Sequence, residues 1–491
     1  MVHMVLLRDG KFEASAPFGN INEQKQIVTS AIAEAATSGK PLVLHFHGGL
    51  VNRANGMAIA NSLNPIYRDA NGVPLFFVWQ TGLVETIRAN YQEALKGRLI
   101  KWAIKRLLNR VKPKVIDSVG FRSTSINSNT EFSEAEIQAF EVELERDANL
   151  DIIAGNLQAA ANKTFGEEIP ANEELFRSVL QAQSSTELDQ DYYIEASVIL
   201  PIFFADTDDI AQPSDSASLQ KTRGLIGSMG LKAKLIKAIV KTAVAVVRRF
   251  INNTDHGLHA TIIEELSRRI HGDKIGSEIW SMMKKDSADA FEGEQRAGQF
   301  LLDALQASPV KPRVVLIGHS AGSIFVSNLL RNAEGGSFDV VFLAPAVTYR
   351  YFYDTIETHS HKIANFRMFT MTDANEREDE LINGKSFIYP SSLLYLISGV
   401  LEKNESGTPD IDCPILGMER FFLPSYQYRP NDNDVLNSVR EFLLNKPNAL
   451  VWSKTGPEAP AGLASGSLDH GHFDDDEETR KSLQHIIKNG F

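Results

Sequence analysis

The chain of 491 residues is 43% hydrophobic, enough to bury one large core or two linked ones. With 50 Lys and Arg against 62 Asp and Glu, its formal charge of -12 speaks against wholesale nucleic-acid binding, which needs concentrated positive charge. One cysteine, Cys413, excludes an internal disulfide, so the fold does not depend on an oxidising compartment, and a cytoplasmic setting is the simplest expectation.

The first residues, Met-Val-His-Met-Val-Leu-Leu-Arg, meet a charge after a few apolar residues and carry no secretory apolar run. Short apolar runs bounded by Gly and Pro then read as buried parallel strands: Pro41 to Phe46, Pro74 to Trp79, Arg313 to Ile317, Phe338 to Leu343, Phe366 to Met371 and Ala449 to Trp452. Helix-compatible segments, among them Ser323 to Arg331 and Val435 to Leu444, alternate with the later strands. The predicted class is α/β, a mostly parallel sheet flanked by helices.

Residues 82–309 separate the second and third of these strands, and their periodicity is helical. They read as a large, mainly helical insertion, a cap or lid, between the two parts of a core at 1–81 and 310–491. Within the insertion, Lys96 to Lys114 and Lys221 to Arg249 are basic and amphipathic, and Glu131 to Asp151 is acidic. Two readings stand: complementary solvated helix faces, or a surface for peripheral contact with an anionic membrane, with Trp102, Leu99, Ile104 and Leu107 on its apolar side. Leu231 to Ile251 carries six Lys and Arg, which a bilayer centre would not accept. The insertion is also where a protein partner would dock.

Gly318-His319-Ser320-Ala321-Gly322 follows an apolar strand and precedes a helix. A serine on such a sharp turn is exposed, small residues two positions either side let the backbones pass, and the helix behind aims its free N–H groups at the reaction centre. A second element, His45-Phe46-His47-Gly48-Gly49-Leu50, ends the first buried strand. A third, Asp469-His470-Gly471-His472-Phe473, follows the last one.

These elements resemble the α/β-hydrolase superfamily of serine hydrolases, the first as the nucleophile turn and the second as the His-Gly-Gly oxyanion loop of lipases and esterases. The resemblance covers Pro41 to Gln80 and Arg313 to Phe491. It implies Ser320 as nucleophile, an acid next in the chain and a histidine last. Asp373, just past a strand, is the chosen acid, with Asp354, Glu376 and Asp379 in reserve; as an alternative role, Asp373 caps the helix that follows it. His470 is preferred to His472 as base. Ala321 with Gly48, Gly49 or Leu50 supplies the oxyanion donors, and Leu50 stands where some of those families have a third glycine.

The implied activity is cleavage of an ester, a carboxylester or lipid ester, through an acyl-enzyme, with no cofactor. Two rivals remain. One is an effector or binding protein on the same fold, gated by its cap. The other is a metal-dependent hydrolase using the pairs His45/His47, His359/His361 and His470/His472, although acidic ligand spacings such as His-Glu-x-x-His do not accompany them. The acidic run Asp474 to Glu478 reads as the first turn of a helix over Thr479 to Lys488.

Overall fold

The computed structural model describes residues 2–48, 53–79, 242, 245–246, 249, 252–269, 272–293, 295–379, 381, 389–404, 407, 410–423 and 433–491. The two basic stretches fall almost wholly outside them, as do the acidic stretch, Trp102, and Gly49 and Leu50. The lipid and partner expectations attached to the insertion therefore lie outside the described residues.

The chain divides into two compact units, one of Met1–Arg88, Ser277–Gly384 and Pro390–Phe491, the other of Ala89–Gly276 and Lys385–Tyr389. The first unit holds an eight-stranded sheet: β1 (His3–Arg8), β2 (Lys11–Phe12), β3 (Leu42–Phe46), β4 (Val73–Trp79), β5 (Val314–His319), β6 (Phe338–Leu343), β7 (Ile363–Met371) and β8 (Leu450–Ser453). Their order is β2-β1-β4-β3-β5-β6-β7-β8, and every pairing is parallel except the antiparallel edge hairpin β1/β2.

The six strands read from the apolar runs are all present, Phe338–Leu343 with the same ends. The N-terminal hairpin was not anticipated. Its six-residue first strand turns at Asp9 and Gly10, both at positive φ, and pairs along β4 from His3↔Leu75 to Leu7↔Trp79.

Helices cover both faces, as parallel strands buried on two sides require. Alternate side chains of β3 separate them. On one face Val43, Val315, Ile317 and Val341 pack with Ala60, Leu63 and Tyr67 of the helix over Arg53–Asp69, and with Leu483, Ile486 and Ile487 of the C-terminal helix over Glu477–Asn489. On the other face Phe46 stacks on Phe77 (4.8 Å between centroids) and on Phe325 (4.6 Å), which lies in the helix over Gly322–Asn332.

In chain order the helices used below are α1 (Ile21–Ser38), α2 (Arg53–Asp69), α3 (Leu258–Arg269), α4 (Gly272–Asp289), α5 (Ala297–Ala307), α6 (Gly322–Asn332), α7 (Tyr349–His359), α8 (Asp373–Glu378), α9 (Asn433–Leu444) and α10 (Glu477–Asn489). Phe352 of α7 and Phe442 of α9 close the second face around Phe366 of β7. Part of α4 and all of α5 belong to the first unit, which resumes at Ser277, ahead of residue 310. There Trp280 Nε1 and Lys284 Nζ each donate to Glu402 at 2.6 Å.

In the second unit, α3 carries Glu264, fully buried, which accepts from Arg249 Nη1 at 2.5 Å and meets His256 Nδ1 at 2.8 Å. Burial raises its carboxyl pKa, but the charges of His256 and Arg249 outweigh that and hold it at about 2. Among the described residues no helix is long and apolar enough to cross a membrane.

Chain winding reverses at the centre of this sheet. From β3 the chain moves outward to β4, then crosses back to β5 on the other side of β3 and proceeds to β8. The carboxyl ends of β3 and β5, in register at Phe46↔Gly318, thus lie at a topological switch point, where open α/β sheets gather their ligands.

Candidate active site

Ser320 stands directly after β5 with φ of 50°, a left-handed conformation that costs a non-glycine residue about 1 kcal/mol or more. Its neighbours over-determine it. Ser320 N donates to Leu343 O at 2.8 Å, and its carbonyl accepts from Ala346 N and Ser323 N, each at 3.1 Å, and from Ser323 Oγ at 2.6 Å.

The two glycines of the turn are there for space. A Cβ on Gly322 would lie 2.0 Å from the Phe46 carbonyl oxygen, and one on Gly318 would lie 2.8 Å from the Gly322 backbone. α6 can start this close to β3 only without side chains at those positions. Ala321, at its N-terminus, is buried, and its N–H makes no hydrogen bond among the described residues.

His470 Nε2 lies 2.9 Å from Ser320 Oγ across 150 residues of sequence. Both side chains are buried. His472, by contrast, is at the surface, with Nδ1 3.7 Å from Asp469 Oδ2. The geometry thus joins His470, and not His472, to the serine.

Of the acids singled out in the sequence, Asp373 opens α8. Its Oδ2 accepts from Arg377 Nε at 2.9 Å and its Oδ1 from Tyr395 OH, and it makes no hydrogen bond to His470. Asp354 lies on α7. Glu376 is buried on α8, accepting from Ser392 Oγ, and burial pushes its carboxyl pKa well up. Asp379 is the acid that reaches the histidine, its Oδ2 accepting from His470 N at 2.9 Å.

After β3, Gly48 approaches the serine so closely that an added Cβ would meet Ser320 Cβ at 3.3 Å. His47 supports this approach. Its Nδ1 lies 2.7 Å from the Gly48 carbonyl, which only accepts, so Nδ1 carries the proton and Nε2 accepts from Trp79 N at 3.3 Å. Trp79 Nε1 in turn donates to His47 O at 3.0 Å. Burial lowers the pKa of His47 to about 4 and that of His45, which shares a hydrogen bond with Tyr67 OH, to about 3. Both rings are neutral at pH 7.

Sequence reasoning passed over two residues here. His319, the second member of the Gly-His-Ser-Ala-Gly turn, sends Nε2 to within 2.9 Å of His470 O and Nδ1 to within 2.5 Å of Asp474 Oδ1. Asp474 belongs to the acidic run read as a first helical turn, yet it is buried, while Asp476 is the residue that caps α10 through Thr479 N. The only sequence signal was an aspartate four residues after a candidate base, too weak to separate it from its acidic neighbours.

Among the described residues no group of three or more His, Cys, Asp or Glu side chains is placed to hold a metal ion. No protein-family profile, curated protein or solved structure matches the chain.

Proposed function

We propose that this chain is a serine hydrolase of the α/β-hydrolase kind, cleaving an ester by acyl transfer through Ser320. The observation that carries the reading is the 2.9 Å approach of His470 Nε2 to the oxygen of a serine held at positive φ between a parallel strand and a helix. A buried histidine on a buried, strained serine at the switch point is what proton removal from a weak nucleophile requires.

In this reading Ser320 Oγ attacks the carbonyl while His470 Nε2 takes its proton. The oxyanion lies at the N-terminus of α6, where the Ala321 N–H and the helix dipole face the developing charge. Gly48, which packs against Ser320 Cβ, flanks it on the β3 side. His470 then protonates the leaving alcohol, and water, deprotonated by the same ring, releases the acid from Ser320. No cofactor enters any step.

Asp379 supplies the negative charge that supports the imidazolium, in place of the Asp373 chosen from sequence. Its carboxylate already binds the His470 residue, whereas that of Asp373 is committed to Arg377 and Tyr395. The order Ser320, Asp379, His470 keeps the nucleophile, acid and base sequence of the superfamily. A small-molecule or lipid ester is the substrate class on fold analogy, and the buried, unpaired Cys413 suits a cytoplasmic setting.

The test is intact mass after exposure to a fluorophosphonate. A single adduct on the wild type, mapped to Ser320, absent from Ser320→Ala and strongly reduced in His470→Ala but not in His472→Ala, is the expected result. A folded wild type that takes up no adduct would reject the reading.

A further inference from the structure

His319 ends β5 directly before the nucleophile, its ring buried and each ring nitrogen close to a polar partner. Nε2 is 2.9 Å from the His470 carbonyl oxygen, and a carbonyl only accepts, so Nε2 carries a proton. Nδ1 is 2.5 Å from Asp474 Oδ1, an ion-pair contact not aligned for a hydrogen bond, and a bare nitrogen there would set its lone pair against that of a carboxylate. A carboxyl proton lent to Nδ1 would also avoid that clash, but the contact with His319 holds Asp474 below its ordinary value, so the pair is an imidazolium and a carboxylate, both buried.

The titration of each partner agrees. Burial works against a charged imidazole, but the charge of Asp474, its direct contact and the His470 carbonyl outweigh it and raise the His319 pKa. Burial likewise raises a carboxyl, yet His319 brings Asp474 below its ordinary value. The other titratable groups facing the pair are Asp475, which favours the charged imidazole, the neutral rings of His45 and His47, the Tyr67 phenol, the ring of His470, and Arg480, which donates to the Asp474 carbonyl.

We infer that His319 and Asp474 form a fixed-charge pair that positions the base His470, a role that rests on the hydrolase reading above. The main chain of His470 is pinned on both sides of its Cα, the N–H by Asp379 Oδ2 and the carbonyl by His319 Nε2. With both peptide groups held, the direction of the Cα–Cβ bond is fixed, which keeps the ring within reach of Ser320. Asp474 follows His470 by four residues, so the same pair closes the loop that carries the base.

The pair is not a proton relay. His319 touches the carbonyl of His470, which has no proton to give, and the two imidazoles stand 5.8 Å apart between centroids. His319 and Asp474 are positioning residues, and what they protect is geometry: a displacement of about 1 Å at a reacting group can cost on the order of a hundredfold in rate.

The experiment measures the maximal rate of fluorophosphonate adduct formation and the half-saturating probe concentration for wild type, His319→Leu, His319→Gln and Asp474→Asn. Gln keeps an N–H near the place of Nε2 without the charge. His319→Leu should lose about a hundredfold in maximal rate with half-saturation unchanged, and His319→Gln should recover about tenfold of that loss. In 15N-edited spectra of the wild type, one imidazole should lose its second proton at a higher pH than a free histidine does, with its signal missing from His319→Gln.

A wild-type rate in His319→Leu, a loss that Gln does not recover, or a His319 ring that deprotonates no higher than a free histidine would each overturn the inference. Should His319→Leu fail to fold, His319→Gln and the wild-type spectra still decide it. A wild type that forms no adduct would instead reject the hydrolase reading, while the spectra report on the ion pair independently.

Discussion

The backbone amide of His470 donates to the carboxylate of Asp379 at 2.9 Å, across 91 residues of chain. Asp373, six residues before Asp379 and nearer the end of β7, turns its carboxylate to Arg377 and Tyr395. The two acids are close in sequence and differ in what they hold, so their amide variants should separate. Asp379→Asn should slow adduct formation at Ser320 at least tenfold, since it removes a charge-assisted acceptor and the negative charge beside the base. Asp373→Asn should leave that rate within a factor of about three. Parallel labelling time courses check both, and equal losses would remove the distinction between them.

The turn around Ser320 makes a steric prediction. Gly322→Ala would force a Cβ to within 2.0 Å of the Phe46 carbonyl, and no rotamer can relieve a clash between backbone and Cβ. The variant should lose about 2–4 kcal/mol in urea unfolding and take up fluorophosphonate more slowly, because α6 must move away from β3. Gly39→Ala is the control. It has positive φ but nothing within 4 Å of the added Cβ, so it should cost only about 1 kcal/mol and leave labelling intact.

The sheet was legible because its strands are apolar runs punctuated by Gly and Pro, a signal that parallel strands buried on both faces carry in the sequence itself. β1 was not read: six residues at the N-terminus offer no alternation, and its place beside β4 depends on pairing across about seventy positions. The turn at Ser320 was legible for the same local reason, since strand, small residues and helix are contiguous. What local pattern does not carry is which acid of several meets His470, or that Asp474 leaves its acidic run to meet His319. Each is decided by how loops from distant strands converge at the switch point, and a charge in a run of charges looks like solvated surface until its partner is placed.

Arg313 ties the sheet to the C-terminal helix. Its Nε donates to Asp339 Oδ2 at 2.6 Å, while Nη1 and Nη2 reach the carbonyls of Ile487 and Ile486 at 2.8 and 2.9 Å. These are carbonyls in the last turn of α10, where intrahelical partners run out, and that of Ile486 also accepts from the capping Gly490 N at 3.0 Å. Lysine keeps the charge but not the planar fork, so Arg313→Lys should cost about 1–3 kcal/mol. The loss should appear first in α10. Amide exchange there should accelerate more than in α6, and uniform acceleration would count against this anchoring role.

His45 and His47 give the protein a dependence on acid with a definite sign. Burial lowers their folded-state pKa values from 6.5 to about 3 and about 4, so between those values and 6.5 the unfolded chain binds protons that the folded chain does not. Stability is therefore fully present above pH 6.5 and falls as the pH drops towards 4. Asp286 and Glu376, whose carboxyls burial raises, push the other way over part of that window, so the comparison belongs between wild type and His47→Gln. His319, whose pKa is raised, titrates alike in both proteins and so cancels in that comparison. Between pH 7 and 4.5 the wild type should lose about 2–3 kcal/mol more than His47→Gln. Urea midpoints at half-unit pH steps measure the difference, and parallel slopes for the two proteins would mean that His47 is charged in the folded state and that the tautomer assigned from Gly48 and Trp79 is wrong.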